Sequence, residues 1–128
     1  MRILIADDHE VLRRSVIRVL QSRGDVWNVV ECAEATNGKE AVDKALVWKP
    51  DLVLLDVRLP VLAGFDAARE IKQHHPDIPV LFFSIYDTDE ILIEARLVGN
   101  GFILKENIVE MLEGCRCSSS KAVLLSSC

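Results

Sequence analysis

Leu52-Val53-Leu54-Leu55-Asp56 is the stretch whose reading decides the fold. Four apolar residues run straight into one carboxylate, and Pro50-Asp51 stands before them. An apolar run this short, bounded by a proline and lacking polar alternation, reads as a strand buried on both faces. A strand of that kind belongs in the interior of a parallel sheet. Asp56 then stands at its C-terminal end, the edge where open parallel sheets place their ligands.

Working outward, the same pattern recurs. Residues 2–6, Arg-Ile-Leu-Ile-Ala, form a short buried strand that ends on Asp7-Asp8. Leu12, Val16, Val19 and Leu20 recur at helical spacing over residues 9–22, with Asp8 as the expected cap and Gly24 beyond the end. A more alternating strand is expected over residues 27–33, at or near a sheet edge. The turn Asn37-Gly38 then leads into a helix marked by Ala41, Val42, Ala45 and Leu46 that stops before Pro50. Beyond Asp56 a loop reaches Gly64, and a helix follows over residues 65–75. Val80-Leu81-Phe82-Phe83 is a fourth buried strand ending on Ser84. Ile91, Leu92, Ala95 and Val98 mark a helix that Gly99 stops. Phe102-Ile103-Leu104 is a fifth strand ending on Lys105, and Ile108, Met111, Leu112 and Cys115 mark a fifth helix. Strand and helix alternate five times, which argues for an α/β fold with a parallel sheet, helices on both faces and right-handed crossovers.

The bulk composition fits one domain. The chain has 128 residues, half of them hydrophobic, enough for a core without disulfide or metal staples. A net charge of −5 with no dense Lys/Arg run argues against nucleic-acid binding by this segment itself. No apolar stretch approaches the roughly 20 residues that span a bilayer, and the N-terminus does not read as a signal peptide; a cytoplasmic location is expected. Cys32, Cys115, Cys117 and Cys128 do not fall at zinc-site spacing and read as free thiols.

In a parallel sheet all strand ends of one sense share an edge, so Asp7, Asp8, Asp56, Ser84 and Lys105 are expected to converge. Three carboxylates packed together repel one another. A hard dication resolves the repulsion, and Mg²⁺ takes a few carboxylates together with water and phosphate oxygens. Lys105 adds a compact positive charge and Ser84 a hydroxyl donor. The chemistry this set suits is in-line phosphoryl transfer with Asp56 as nucleophile.

Over residues 1 to about 117 the chain resembles a response-regulator receiver domain of two-component signalling. The resemblance rests on Asp7-Asp8, on Asp56-Val57-Arg58-Leu59-Pro60 with Gly64 after it, on Ser84, and on Gly101-Phe102-Ile103-Leu104-Lys105. The run Asp7-Asp8-His9-Glu10-Val11-Leu12-Arg13 is similar to the subfamily that carries helix-turn-helix output domains. The resemblance implies a flavodoxin-like, doubly wound five-stranded sheet of order 2-1-3-4-5 with five helices. It implies that Asp56 accepts a phosphoryl group from the phosphohistidine of a sensor histidine kinase. It also implies Mg²⁺ bound by Asp8, Asp56 and the backbone carbonyl of Arg58, with Asp7 acting mainly through water. Ser84 and Phe102 would be the switch pair. The face made by the fourth helix, fifth strand and fifth helix would change its partner, be that an output domain or protein or a second copy in a homodimer. Such a domain catalyses only its own phosphorylation and dephosphorylation and is not an enzyme on external substrates.

Several residues depart from the commoner family pattern or have a plainer reading. Glu106 follows Lys105 where many receivers have proline, so a trans Lys105–Glu106 bond is expected. Phe102 replaces the commoner tyrosine. Arg58 and Tyr86, each two residues past a strand end, flank the site. His9 reads as an exposed helix start rather than a ligand, His74-His75 as a solvated helix end, and Trp27 and Trp48 as packing residues. Ile93 and Val109 are core or interface. Residues 118–128, with Ser118-Ser119-Ser120, read as a tail or linker. The competing function is a Mg²⁺-dependent phosphohydrolase with an aspartyl-phosphate intermediate. Such enzymes carry a second Asp two residues after the nucleophile, and here that position is Arg58. A flavin carrier of the same topology would place Asp7-Asp8 against the flavin phosphate.

Overall fold

A computed structural model describes residues 1–22 and 31–107 of the chain. Five strands, β1 (Arg2–Ala6), β2 (Glu31–Ala35), β3 (Leu52–Asp56), β4 (Val80–Ser84) and β5 (Gly101–Leu104), form one parallel sheet of order β2-β1-β3-β4-β5. The described helices are α1 (Glu10–Ser22), α2 (Gly38–Trp48), α3 (Gly64–His74) and α4 (Asp89–Val98), with a 3₁₀ turn at Lys105–Asn107. The fifth helix expected from Ile108 onward lies outside the described residues, as do Trp27, Val109, Cys115, Cys117 and the tail. The second strand, expected over residues 27–33, is described from Glu31 and runs on to Ala35, two residues past its expected end; residues 27–30 lie outside the described residues. Its place at the sheet edge explains the misreading, because an edge strand with one partner carries no continuous buried run; its burial increases only toward Ala35.

β3 and β4 are buried at every position, as the apolar runs require. Strand alternation divides their side chains between two cores. Ile3, Ile5, Leu52, Leu54, Leu81, Phe83 and Ile103 pack on one face with Val16 and Leu20 of α1. Leu4, Ala6, Val53, Leu55 and Phe82 pack on the other with Ala41, Val42, Ala67, Ala68, Ile71 and Ala95 of α2, α3 and α4. The same alternation, continued one step past the strand ends, carries Asp7, Asp56 and Lys105 to the α1 face and Ser84 to the opposite side of the pleat. Trp48 packs against the second core with the Arg2 guanidinium 4.3 Å from its ring centre, as its packing role requires. The half-buried Cys32 is a free thiol whose pKa burial pushes up, helped by Glu34.

The loop after β3 is held tightly. Gly64 opens α3 against the β3 backbone, and a Cβ there would lie 2.2 Å from the Asp56 carbonyl oxygen. Pro60 accepts hydrogen bonds from the backbone of Leu62 at 2.7 Å and of Gly38 at 3.2 Å. The first of these closes a three-residue turn centred on Val61 with φ of 70°. A β-branched residue in that region is strained. All peptide bonds among the described residues are trans, Lys105–Glu106 included.

Two substitutions test this loop by urea denaturation. Gly64→Ala forces backbone movement beside Asp56 and is expected to lower stability by about 2 kcal/mol. Val61→Gly relieves the turn and is expected to raise it by about 1 kcal/mol after the added chain entropy of glycine. An unchanged Gly64→Ala midpoint, or a destabilised Val61→Gly, contradicts the account of the loop.

Candidate functional site

Three strand ends use one local device. Asp7 Oδ1 accepts the backbone N–H of His9 at 2.9 Å. Asp56 Oδ1 accepts that of Arg58 at 3.1 Å, and Ser84 Oγ that of Tyr86 at 3.1 Å. Each side chain satisfies the donor two residues on, the geometry by which Asp and Ser turn a chain. Each therefore stops its strand, starts its loop and stays fixed at the C-terminal edge. The third residue of each turn, His9, Arg58 or Tyr86, follows directly at that edge.

Lys105 joins the strand ends. Its stem passes the Phe83 ring, with Nζ 5.5 Å from the ring centre. Nζ donates to Asp56 Oδ2 at 2.6 Å and lies 3.5 Å from Asp7 Oδ1 and 3.2 Å from His9 Nδ1. Asp7, Asp56, Ser84 and Lys105 are all buried, while Asp8 is exposed. Burial dominates the Asp56 carboxyl and raises its pKa to about 6; the hydrogen bonds from Lys105 and the Arg58 backbone, with the Lys105 charge, offset part of that rise, and Asp7 adds to it. One ammonium thus faces two buried carboxylates. Among the described residues, Asp7 Oδ2 has no hydrogen-bond partner. A buried carboxylate oxygen without a partner is costly, and a hard dication is what this donor set lacks: one ligand atom each from Asp7, Asp8, His9 and Asp56 lies within 4.8 Å of the others.

Of the residues expected at the site, Asp7, Asp8, Asp56 and Lys105 are brought together directly. Ser84 stands at the same edge with its hydroxyl turned into its own loop. Phe102 sits one strand over, half-buried against the core beneath α4 and paired in register with Phe82. Arg58 and Tyr86 contact each other, the guanidinium 4.5 Å from the ring centre.

Sequence reasoning missed two participants. His9 is exposed and precedes α1, as expected, but its Nδ1 lies 3.1 Å from Asp7 Oδ1 and 3.3 Å from Asp8 Oδ1. The signal was its offset: His9 follows Asp7 as Arg58 follows Asp56. Arg13 is buried; its Nε donates to Glu34 at 2.6 Å and its Nη1 to the Asp7 carbonyl at 2.8 Å. It ties α1 to β2 and holds the acidic turn from below. Its signal was a charge on the apolar stripe that continues through Val16 and Leu20.

Comparison with known proteins agrees with this geometry. Residues 3–114 match the response regulator receiver domain. The transcriptional regulatory protein YdfI of Bacillus subtilis is 35% identical over 112 residues, covering 87% of this chain and 51% of that protein. The response regulator GacA of Pseudomonas viridiflava is 31% identical over 118 residues, covering 91% of this chain and 54% of that protein. The chain thus spans about half the length of these curated relatives. Among solved structures, the signal receiver domain of NarL from Mycobacterium tuberculosis superposes with a TM-score of 0.75 at 30% identity, covering 89% of this chain and 97% of that one. No described helix is long and apolar enough to cross a membrane. With the five-stranded order, the acidic pocket and the lysine in place, the chain belongs to the response regulator receiver domain family, a family of signalling modules rather than of conventional enzymes.

Proposed function

We propose that this chain is a phosphorylation-driven switch in which Asp56 accepts a phosphoryl group from the phosphohistidine of a sensor histidine kinase. The observation that carries the reading is the buried Asp56 carboxylate held at 2.6 Å by Lys105 beside two further acids. An Asp56 oxygen attacks phosphorus in line, the bond from phosphorus to the imidazole nitrogen breaks, and an acyl phosphate remains on Asp56. Asp8, Asp56 and the Arg58 carbonyl would hold Mg²⁺, with Asp7 acting through water, and the ion would supply positive charge for the phosphoryl oxygens. Lys105, bonded to Asp56 Oδ2, supplies a second positive charge. The Arg58–Tyr86 stack borders the approach of water to the acyl phosphate.

The added charge biases a two-state equilibrium through contacts made in one state only. Ser84 gives up the Tyr86 N–H and turns its hydroxyl to a phosphoryl oxygen, and Phe102 moves inward into the space this leaves. The face of α4, β5 and the segment after residue 107 then changes its partner, an output domain or protein or a second copy. Ile93 and Leu97 expose apolar surface on α4 for that purpose. Residues 1–117 form the switch and 118–128 a tail or linker, and the module acts in the cytoplasm within a transcription-regulating pathway without itself touching nucleic acid. A hydrolase acting on external phosphate esters is disfavoured because Arg58, engaged with Tyr86, stands where a second acid is needed.

Incubation with Mg²⁺ and acetyl phosphate, followed by intact-mass measurement, is expected to show one labile phosphoryl adduct that Asp56→Asn abolishes; no adduct, or one on another residue, sinks the reading. Lys105→Ala is expected to accept phosphate yet lose the phosphorylation-linked change in partner binding or dimerisation, and an intact response in that variant contradicts its role. In cation-free buffer the raised Asp56 pKa means that ionising this carboxyl opposes folding. Asp56→Asn is therefore expected to stabilise the chain by about 2 kcal/mol above pH 6, the gain shrinking to nothing as pH falls from 6 toward 4. A gain independent of pH in denaturation experiments argues against this electrostatic cost.

A further inference from the structure

His9 presents a nitrogen to a positive centre already marked out in the fold. The Lys105 ammonium is approached by Asp56 Oδ2 at 2.6 Å, by His9 Nδ1 at 3.2 Å and by Asp7 Oδ1 at 3.5 Å. It stands where oxygen and nitrogen donors converge, a resident cation in place of a metal ion. An ammonium has only hydrogens to give, so its contact with Nδ1 is favourable when Nδ1 carries a lone pair. That same Nδ1 lies 3.1 Å from Asp7 Oδ1 and 3.3 Å from Asp8 Oδ1, which also only accept. A neutral ring with its proton on Nε2 therefore turns a lone pair toward two carboxylates. A ring with its proton on Nδ1 turns a hydrogen toward the ammonium. Neither tautomer suits every neighbour, whereas a cation bound by Nδ1 and the carboxylate oxygens satisfies all four donors and leaves the Lys105 ammonium to Asp56 Oδ2. The second carboxylate oxygen of the fully buried Asp7, Oδ2, has no hydrogen-bond partner among the described residues and is an independent sign of a carboxylate short of positive charge.

We infer that His9 Nδ1 is a direct ligand of the divalent cation at this site. The inference rests on the reading of Asp7, Asp8 and Asp56 as a cation site and changes what that site prefers. An all-oxygen site suits Mg²⁺, whereas an imidazole added to carboxylates favours first-row transition ions. The side chain is 67% exposed and reaches the cluster from the mouth of the pocket, so it can join or leave the ion without repacking the core. Its backbone N–H, by contrast, is fixed by Asp7, which keeps the ring within reach.

The test uses Mn²⁺ as a paramagnetic probe on the 128-residue chain. Electron spin-echo modulation of the bound ion is expected to show directly coordinated imidazole nitrogen, and His9→Gln is expected to remove that modulation while Mn²⁺ still binds through the acids. In competition binding, the preference for Co²⁺ over Mg²⁺ is expected to fall about tenfold in His9→Gln. Bound Mn²⁺ without nitrogen modulation in the wild-type chain, or modulation that survives His9→Gln, overturns the inference and leaves the carboxylate site standing. No Mn²⁺ bound by the wild-type chain, together with no phosphoryl adduct on Asp56, overturns the cation-site reading beneath it.

Discussion

The contact between Asp56 and Lys105 is the constraint on which the functional half of this structure depends. It brings together residues separated by 49 positions and spans from the central strand across β4 to the end of β5. It is also unfinished. Two buried carboxylates share one ammonium, Asp7 keeps one oxygen unpartnered, and burial holds the Asp56 carboxyl well above its ordinary pKa. A site left short of positive charge in this way favours whatever brings it. That deficit, more than any single residue, joins the fold to the cation binding and phosphoryl transfer proposed for it.

The fold builds the deficit with ordinary means. Apolar strands place residues of one parity on the α1 face, and the residue of that parity after Ile5, Leu54 or Ile103 is Asp7, Asp56 or Lys105. Because β1 and β3 are neighbours, the two acids are adjacent; because lysine has a long stem, it reaches them over Phe83. The turn-forming bonds of Asp7, Asp56 and Ser84 give each residue a second task, so each holds the backbone of its own loop. A change of charge at Asp56 therefore acts on loop geometry without an intermediary. Gly64 and Gly38 press the β3–α3 loop against its surroundings, which fixes the floor beneath Asp56, while the neighbouring β4–α4 loop is tied to the strand end by the Ser84 hydroxyl and to Arg58 by the Tyr86 ring.

Much of this was legible in the sequence because buried strands write themselves plainly. Leu52–Asp56 and Val80–Ser84 are uninterrupted apolar runs ending on a polar residue, and alternation with helices leaves few topologies open. β2 was less legible: at the sheet edge Glu31 and Glu34 interrupt its apolar pattern, so nothing in the sequence marked Ala35 as its end. The acids and the lysine were legible as strand-end residues. Arg13 and His9 were not, since their roles depend on three-dimensional neighbours, Glu34 and the Asp7 carbonyl for one and the acidic cluster for the other. The strained turn at Val61 is likewise invisible in a sequence, where nothing marks a valine as adopting a positive φ.

The account's central claim is that Asp56 is a buried carboxylate awaiting positive charge. Carbon-13 labelling of the aspartate carboxyl groups, with Asp56 assigned through Asp56→Asn and followed by NMR across pH, measures this directly. The account predicts that Asp56 titrates near 6 in cation-free solution and remains ionised well below that pH once Mg²⁺ is added. A midpoint near 4 that Mg²⁺ does not move would contradict it.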